Sequence, residues 1–484
     1  MIVSASEMKL IEERAFARGA SAEDLMERAG IQMAQAVRQF FPQPGVVRVY
    51  YGKGNNGGDV LVAARQLALS GWGVRLRPAF PNEQLSELTR KKLGEVSAIS
   101  APRIRRKVIL DGLLGIGAKG PLRDPVRAAA QEINQYRNAL NTYVFSADVP
   151  TGVDGDTGEV DADAVRADVT LSVALIKSGV LADQATGHVG RLCLLPLEEL
   201  QAPASNGELI TPTSLEALLP RRNFDSQKGD FGRVGILAGS PGFTGAAIMC
   251  ATAALRAGAG LITLFATPDI YQTVAMQAPP EVMVAPIEKL TDVREKRLDV
   301  LAIGPGLGLA RREEILELIA TLKIPMVVDA DALNALATDL ETLNRCAGPR
   351  LLTPHPGEMA RLMPDRPPTR LETLHAFTAR HPVTLLLKGA RTLIGEQGRA
   401  PAWNSTGNPG MASGGMGDIL TGVCAALLGQ KKSPYDAARI GAWVCGRAAE
   451  IAIFENDRSE ESLSATDLPH YFGPAFRDLR MQSF

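Results

Sequence analysis

The chain has 484 residues, more than one hydrophobic core usually organises, so two or three domains are expected. With 45% hydrophobic and 22% charged residues, it has the composition of a soluble globular protein. Its 52 basic and 53 acidic side chains leave no global field to hold a polyanion, and the short basic run at 103–107 reads as a solvated turn, so no nucleic-acid partner is expected. In chain order, Met8, Ile11, Ala15, Leu25, Met26, Ala29, Met33 and Val37 recur at helical spacing and predict helix over 7–40, broken near Gly19. A β-branched and aromatic run at 46–51 predicts a strand, followed by a glycine loop, a helix over 60–69 and a strand over 74–77. Further strands are predicted at 107–110, 142–146, 167–175 and 189–195, with a helix at 126–134. From about 200 to 230 the pattern loosens, and the composition shift places a domain boundary near 209, giving domains 1–209 and 210–484.

A second alternation then begins. Strands are predicted at 233–238, 261–266, 300–303, 326–329, 351–353 and 384–388, with helices at 246–257, 312–321, 331–337 and 418–428. Both halves therefore read as three-layer α/β domains, in which ligands sit beyond the carboxyl ends of parallel strands. The five cysteines form no CxxC pair, and their odd number argues against a disulfide framework. No segment has the roughly 18 uncharged apolar residues of a membrane span, nor does the N-terminus carry a signal-peptide run, so a cytoplasmic protein with no membrane partner is expected. Small-residue helices suit close subunit packing, and a homo-oligomer is expected.

Three motifs mark a first site. Gly52-Lys-Gly-Asn-Asn-Gly-Gly-Asp59 follows a strand, and its glycines permit backbone turns that aim amides inward. Asp111 and Asp148 each end a strand beside glycine-rich turns. With Asn56 and the Thr151 hydroxyl they offer hard oxygen ligands, which suit alkali or alkaline-earth ions rather than zinc. These motifs, with Asp111-Gly-Leu-Leu-Gly-Ile-Gly117 and Asp148-Val-Pro-Thr-Gly152, resemble the NAD(P)H-hydrate epimerase family. The resemblance implies a Rossmann-like fold, epimerisation at C6 of the hydrated nicotinamide ring, and a potassium ion on Asn56, Asp111 and Thr151. Substrate contacts would fall on Asn55, Asn56, Gly57, Gly58 and Asp59, on Gly115, Ile116, Gly117, Ala118, Lys119, Gly120 and Pro121, and on Asp148, which would handle the proton. Lys177 is a charged partner for it. Val60 stands where the family usually has glycine, and Thr151 where it usually has serine.

The second site centres on Asn408-Pro-Gly-Met-Ala-Ser-Gly-Gly-Met-Gly-Asp418, a glycine-rich turn and one carboxylate at the start of an apolar helix. Amides at a helix N-terminus grip phosphate. The helix dipole is expected to keep Asp418 ionised and so suited as a base, the structural alternative being a helix cap. Gly304-Pro-Gly-Leu-Gly308 and Thr353-Pro-His-Pro-Gly-Glu358 follow strands, and His355 reads equally as a ligand contact or a structural residue. From 228 to 428 these motifs resemble the ADP- or ATP-dependent NAD(P)H-hydrate dehydratases, of ribokinase-like fold. That resemblance gives Ala246, Gly306, His355 and Asp418 to the hydrated dinucleotide. It gives Lys388, Gly389, Ala390, Arg391, Thr392, Asn408, Pro409, Gly410, Met411, Ala412 and Gly417 to the nucleotide, with Asp418 as catalytic base and Mg2+ entering with ADP or ATP. Met416 replaces a more usual serine. A ribokinase-type small-molecule kinase with an inert first domain, and a nucleotide sensor with degraded sites, are the competing readings.

Overall fold

The computed structural model describes residues 2–96, 107–140, 142–200, 206–456 and 458–481, so most of the basic run 103–107 and the loose stretch 201–205 lie outside the described residues. The chain divides into two compact units between Leu209 and Ile210. The first contains strands β1 (Ile2–Val3), β2 (Val46–Tyr51), β3 (Gly73–Pro78), β4 (Lys107–Gly112), β5 (Tyr143–Ala147), β6 (Val169–Val173), β7 (Ile176–Lys177) and β8 (Arg191–Leu195). β1 pairs in parallel with β7, and the other six form one parallel sheet in the order β3-β2-β4-β5-β6-β8. The strands are buried runs because helices cover a parallel sheet on both faces. Val47, Val49, Ile109, Val144 and Phe145 are at most 1% exposed. The chain leaves β2 for β3 on one side and returns to β4 on the other, which opens a crevice at the carboxyl ends of β2 and β4.

One expectation is corrected here. The residues Asn55 to Gly58, read as a loop, are the first turn of the helix Asn55–Leu69, with Gly54 as its extended N-cap. Glycine is a poor helix former, but packing decides the matter. A methyl on Gly57 would lie 2.3 Å from the Gly52 carbonyl oxygen, and one on Gly58 would lie 2.4 Å from the Met26 sulfur. Val60 is fully buried and fills the space left by Gly112, whose added methyl would meet a Val60 methyl at 2.4 Å. The bulk at Val60 is thus absorbed by the core beneath the crevice.

The second unit has a ten-stranded sheet built from β9 (Glu208–Ile210), β10 (Arg233–Leu237), β11 (Leu261–Ala266), β12 (Met283–Pro286), β13 (Val300–Ile303), β14 (Met326–Val328), β15 (Arg350–Leu352), β16 (Thr384–Leu387), β17 (Leu393–Gly395) and β18 (Ala402–Asn404). Its order is β12-β11-β10-β13-β14-β15-β16-β17-β18-β9, parallel from β12 to β16 and antiparallel between β16, β17 and β18. The strand order reverses around β10, and the loops after β10 and β13 flank that point. The helix Met416–Gly429, buried from Ile419 onward, lies against the helix Thr244–Arg256. A methyl on Gly422 would come within 2.1 Å of the Cys250 carbonyl oxygen, so only glycine allows this approach. Gly422→Ala is expected to cost about 1–3 kcal/mol, read as a lower denaturation midpoint.

Candidate functional site

In the first unit, Asp111 lies within β4 and is fully buried. Its carboxylate accepts the Thr151 hydroxyl at 2.7 Å, the Ser146 hydroxyl at 2.8 Å, the Thr151 amide at 3.0 Å and the Leu113 amide at 3.3 Å. All of these donors are neutral. Burial holds the Asp111 carboxyl above its ordinary range, with the bonds from Thr151 and Ser146 opposing it. The Asn56 amide donates to the Leu114 carbonyl at 2.6 Å and the Ala147 carbonyl at 3.1 Å, while the Leu114 amide donates to the Thr151 hydroxyl at 3.3 Å. Asn56, Asp111 and Thr151 therefore share one hydrogen-bonded network.

A buried carboxylate surrounded only by neutral donors lacks a counter-charge, and a cation of low charge density fits that want. A different acidic group does not fit a metal. Glu23, Glu27 and Glu95 converge, but the Lys92 ammonium sits among them at 2.6, 2.6 and 3.2 Å.

Asp148 follows β5 with φ of +63°, a strained setting for a non-glycine residue. It pairs with the Lys177 ammonium, which is 1% exposed and also donates to the Val173 carbonyl at 2.7 Å. The β1–β7 pairing aligns Val3 with Lys177 and so brings the helix Ala5–Ala17 over this pair. Burial, then the nearby Asp148 and Glu12, push the Asp59 carboxyl well above its usual range, with Lys177 opposing. Burial likewise raises Glu12, against the pull of Lys177. Gly115, Ala118, Gly120 and Pro121 line a cavity of about 260 Å³, walled on the other side by residues including Val149 and Val153. Lys119 is exposed and pairs with Asp156 at 3.5 Å.

In the second unit, Gly306 has φ of +59°, and a methyl there would meet the Cβ atoms of Phe243 at 2.9 Å and Ala246 at 3.0 Å. Ala246 and Gly306 are thus neighbours, with the Phe243 ring 65% exposed beside them. Gly415, in the left-handed region at φ +88°, caps the helix Met416–Gly429 and approaches Met249, one turn along from Ala246. Met416 packs against the core.

Asp418 is the third helical residue, not the cap. The expected lowering of its pKa is corrected. Burial raises the carboxyl to about 6, Asp329 and Asp331 add to the rise, and Lys388 opposes it. Desolvation outweighs the helix dipole because the dipole's effect is modest beside the loss of water.

Lys388 does not extend freely toward a ligand. Its ammonium lies 2.7 Å from Asp329 and 3.9 Å from Glu358. Burial works against the charge, but these two carboxylates outweigh it and raise its pKa. Gly389, Ala390, Arg391 and Thr392 form the turn between β16 and β17, closed by the Thr392 hydroxyl on the Gly389 carbonyl at 3.3 Å, with Arg391 at φ +56°.

His355 caps the helix Pro356–Leu362. Its Nδ1 accepts the Gly357 amide at 2.9 Å and the Glu358 amide at 3.4 Å. That fixes the proton on Nε2, and the side chain is 51% exposed, so the cap leaves part of the ring open to solvent. Asn408 turns its oxygen onto the Gly410 amide at 3.0 Å, in the short turn Pro409–Met411 that precedes Ala412, while its buried Nδ2 has no partner. A buried donor left open at the head of an anion loop fits a nucleotide.

Sequence reasoning missed Asp329, Thr421, Glu358 as a charged partner, and Phe243. Two aspartates flanking Ala330, directly after a strand, were the available signal for Asp329.

A family model described as NAD(P)H-hydrate dehydratase matches residues 234–471, and one described as YjeF-related protein N-terminus matches residues 22–179. The bifunctional NAD(P)H-hydrate repair enzyme Nnr of Moorella thermoacetica is 35% identical, over 94% of this chain and 92% of its own. That of Coxiella burnetii is 34% identical, over 96% and 97%. The ADP/ATP-dependent NAD(P)H-hydrate dehydratase of Bacillus subtilis, co-crystallised with ATP and Mg2+, superposes with a TM-score of 0.50 at 27% identity, covering 57% of this chain and all of that one.

Proposed function

The chain belongs to the family of bifunctional NAD(P)H-hydrate repair enzymes, and from that premise we propose how its residues divide the work. It is an epimerase and dehydratase of hydrated NADH and NADPH. The first unit interconverts the R and S hydrates, and the second dehydrates the S form at the expense of ADP or ATP. Potassium would rest on Asn56, Asp111 and Thr151. When bound it supplies the counter-charge that Asp111 lacks and orders the loops around the ring. Asp148, oriented by Lys177, moves the proton at the C6 hydroxyl, and Asp59 stands beside it as a second carboxyl. Asn55, Gly57, Gly58 and the loop Gly115 to Pro121 would enclose the dinucleotide.

In the second unit the nucleotide would enter with Mg2+, its phosphates on the amides from Asn408 to Gly417. Asp418 takes the C6 hydroxyl proton as that oxygen attacks the terminal phosphoryl group, whose bond to the bridging oxygen breaks and releases AMP from ADP or ADP from ATP. Phosphate then leaves with the C–O bonding pair, a C5 proton is lost, and the C5=C6 bond of the dihydronicotinamide is restored. Phosphorylation makes a poor leaving group a good one, which is why a nucleotide is consumed. Ala246, Gly306 and His355 would hold the hydrate. We place this work in the cytoplasm.

The carrying observation is Asp418, raised to about 6 beside an anion loop, because a base works best when its pKa lies near the working pH. Mixed R and S hydrate incubated with K+, Mg2+ and either ADP or ATP should return fully to NADH, read in its near-ultraviolet band. The kcat/KM for dehydration should fall as pH drops through about 6, where Asp418 gains its proton. Recovery with neither nucleotide, with a stable phosphorylated product instead, would favour the small-molecule kinase.

A further inference from the structure

Asp329 follows β14, beneath the anion loop, and is 1% exposed. One carboxylate oxygen takes the Lys388 ammonium at 2.7 Å, and the other takes the Thr421 hydroxyl at 2.8 Å. Thr421 lies one turn beyond Asp418 on the same helix, so this single side chain ties β14, the end of β16 and the helix that carries the base. Its backbone is equally constrained. The Asp329 carbonyl oxygen would meet a methyl on Gly304 at 1.8 Å, and the next residue, Ala330, sits at φ +51°. Glu358, 5% exposed and fixed by the His355 amide at 2.8 Å, stands on the other side of Lys388 at 3.9 Å. A methyl on Gly417 would lie 3.1 Å from the Lys388 nitrogen and 3.5 Å from Asp329, which places the ammonium directly under the turn before Asp418.

We propose that Asp329 is a positioning residue of the dehydratase: it holds the Lys388 ammonium off Asp418 and anchors the Asp418 helix through Thr421. The inference rests on Asp418 being the base. Without Asp329 the ammonium is left between Glu358, already engaged by the His355 amide, and Asp418, and a base paired to a lysine is a weaker base. The charged and titratable groups around Asp418 are Asp329 at the end of β14, Asp331 on the next helix, Lys388 at the end of β16, Glu358 across Lys388, and the Cys250 thiol on the facing helix. Asp329 and Asp331 disfavour ionisation of Asp418 and Lys388 favours it. The two halves of the pair therefore act with opposite signs.

The test is the pH dependence of kcat/KM for dehydration by the full-length protein, in two variants. Asp329→Asn should move the acid limb down by about one pH unit and lower kcat about tenfold, as Lys388 turns to Asp418. Lys388→Met should move the limb up, because Asp329 and Asp331 then face Asp418 unscreened. Opposite displacements carry the proposal. An unmoved limb in either folded variant, or shifts of the same sign, overturns it, and so does an unchanged kcat in Asp329→Asn, since loss of the Asp329 charge without movement of Lys388 would shift the limb and leave kcat near its original value. If Asp329→Asn does not fold, the direction of the Lys388→Met shift decides alone. Retained dehydration in Asp418→Ala would instead overturn the base assignment itself and leave epimerisation as the control.

Discussion

Replacing Asp418 by alanine is expected to abolish dehydration, by roughly a thousandfold or more, and to leave R/S interconversion at its original rate. A general base alone accounts for about 10²–10⁴-fold, and here the same side chain also borders the nucleotide turn. The same substitution should make the protein more stable. The Asp418 carboxyl rises from 3.8 to about 6 in the folded chain, so the fold prefers the neutral form. Stability from that preference is fully present below about 4 and is lost as pH rises through 6. At neutral pH the ionised carboxylate is therefore a burden of about 1–2 kcal/mol after screening, which alanine or asparagine removes. Thermal denaturation of Asp418→Asn should show a gain above pH 6 that fades under acid. A variant that is dead yet no more stable at neutral pH would contradict the burial argument.

Asp148→Asn should abolish epimerisation, so that mixed hydrate is recovered only in its S fraction beyond spontaneous interconversion. Here stability moves the other way. Lys177 is 1% exposed, and loss of the Asp148 carboxylate removes its ion-pair partner, leaving a hydrogen bond to the Val173 carbonyl and the more distant pull of Glu12 and Asp59. Breaking one half of a buried pair costs about 3–5 kcal/mol, whereas replacing both halves by uncharged groups is often neutral. The double variant Asp148→Asn with Lys177→Met should therefore regain most of the lost denaturation midpoint and none of the epimerase activity. Recovery of activity in the double variant would show that Asp148 acts on the fold and not on the substrate.

The two predictions draw on features of unequal legibility. Strands such as β2, β11 and β13 were readable because short β-branched runs bounded by glycine have few other solutions. The helical start at Asn55 was not, because Gly57 and Gly58 look like a loop until Gly52 and Met26 are seen against them. Later segments are no more legible in the sequence. β12 is a four-residue edge strand, and the helices Pro434–Glu450 and Leu468–Arg480 lie beyond the last functional motif.

Motifs contiguous in sequence marked both candidate sites. What escaped was the charge balance within them, since Asp329 and Lys388 are far apart in the chain and meet only across the end of β15, which separates β14 from β16. The direction of the Asp418 shift is not legible in the sequence for the same cause. A helix start is visible in sequence, but the depth at which it is buried is not.

The seating of Gly422 on Cys250 also determines how the second unit ages. Close helix contact leaves the thiols of Cys250, Cys424 and Cys445 fully enclosed, and burial pushes each toward the protonated form, Cys445 to about 12. Oxidants and alkylating agents attack thiolates, and these side chains offer them none. The half of the protein that restores reduced cofactor thus keeps those three sulfurs out of the redox chemistry around it, and the partly exposed Cys346 is the thiol of that half within reach of peroxide.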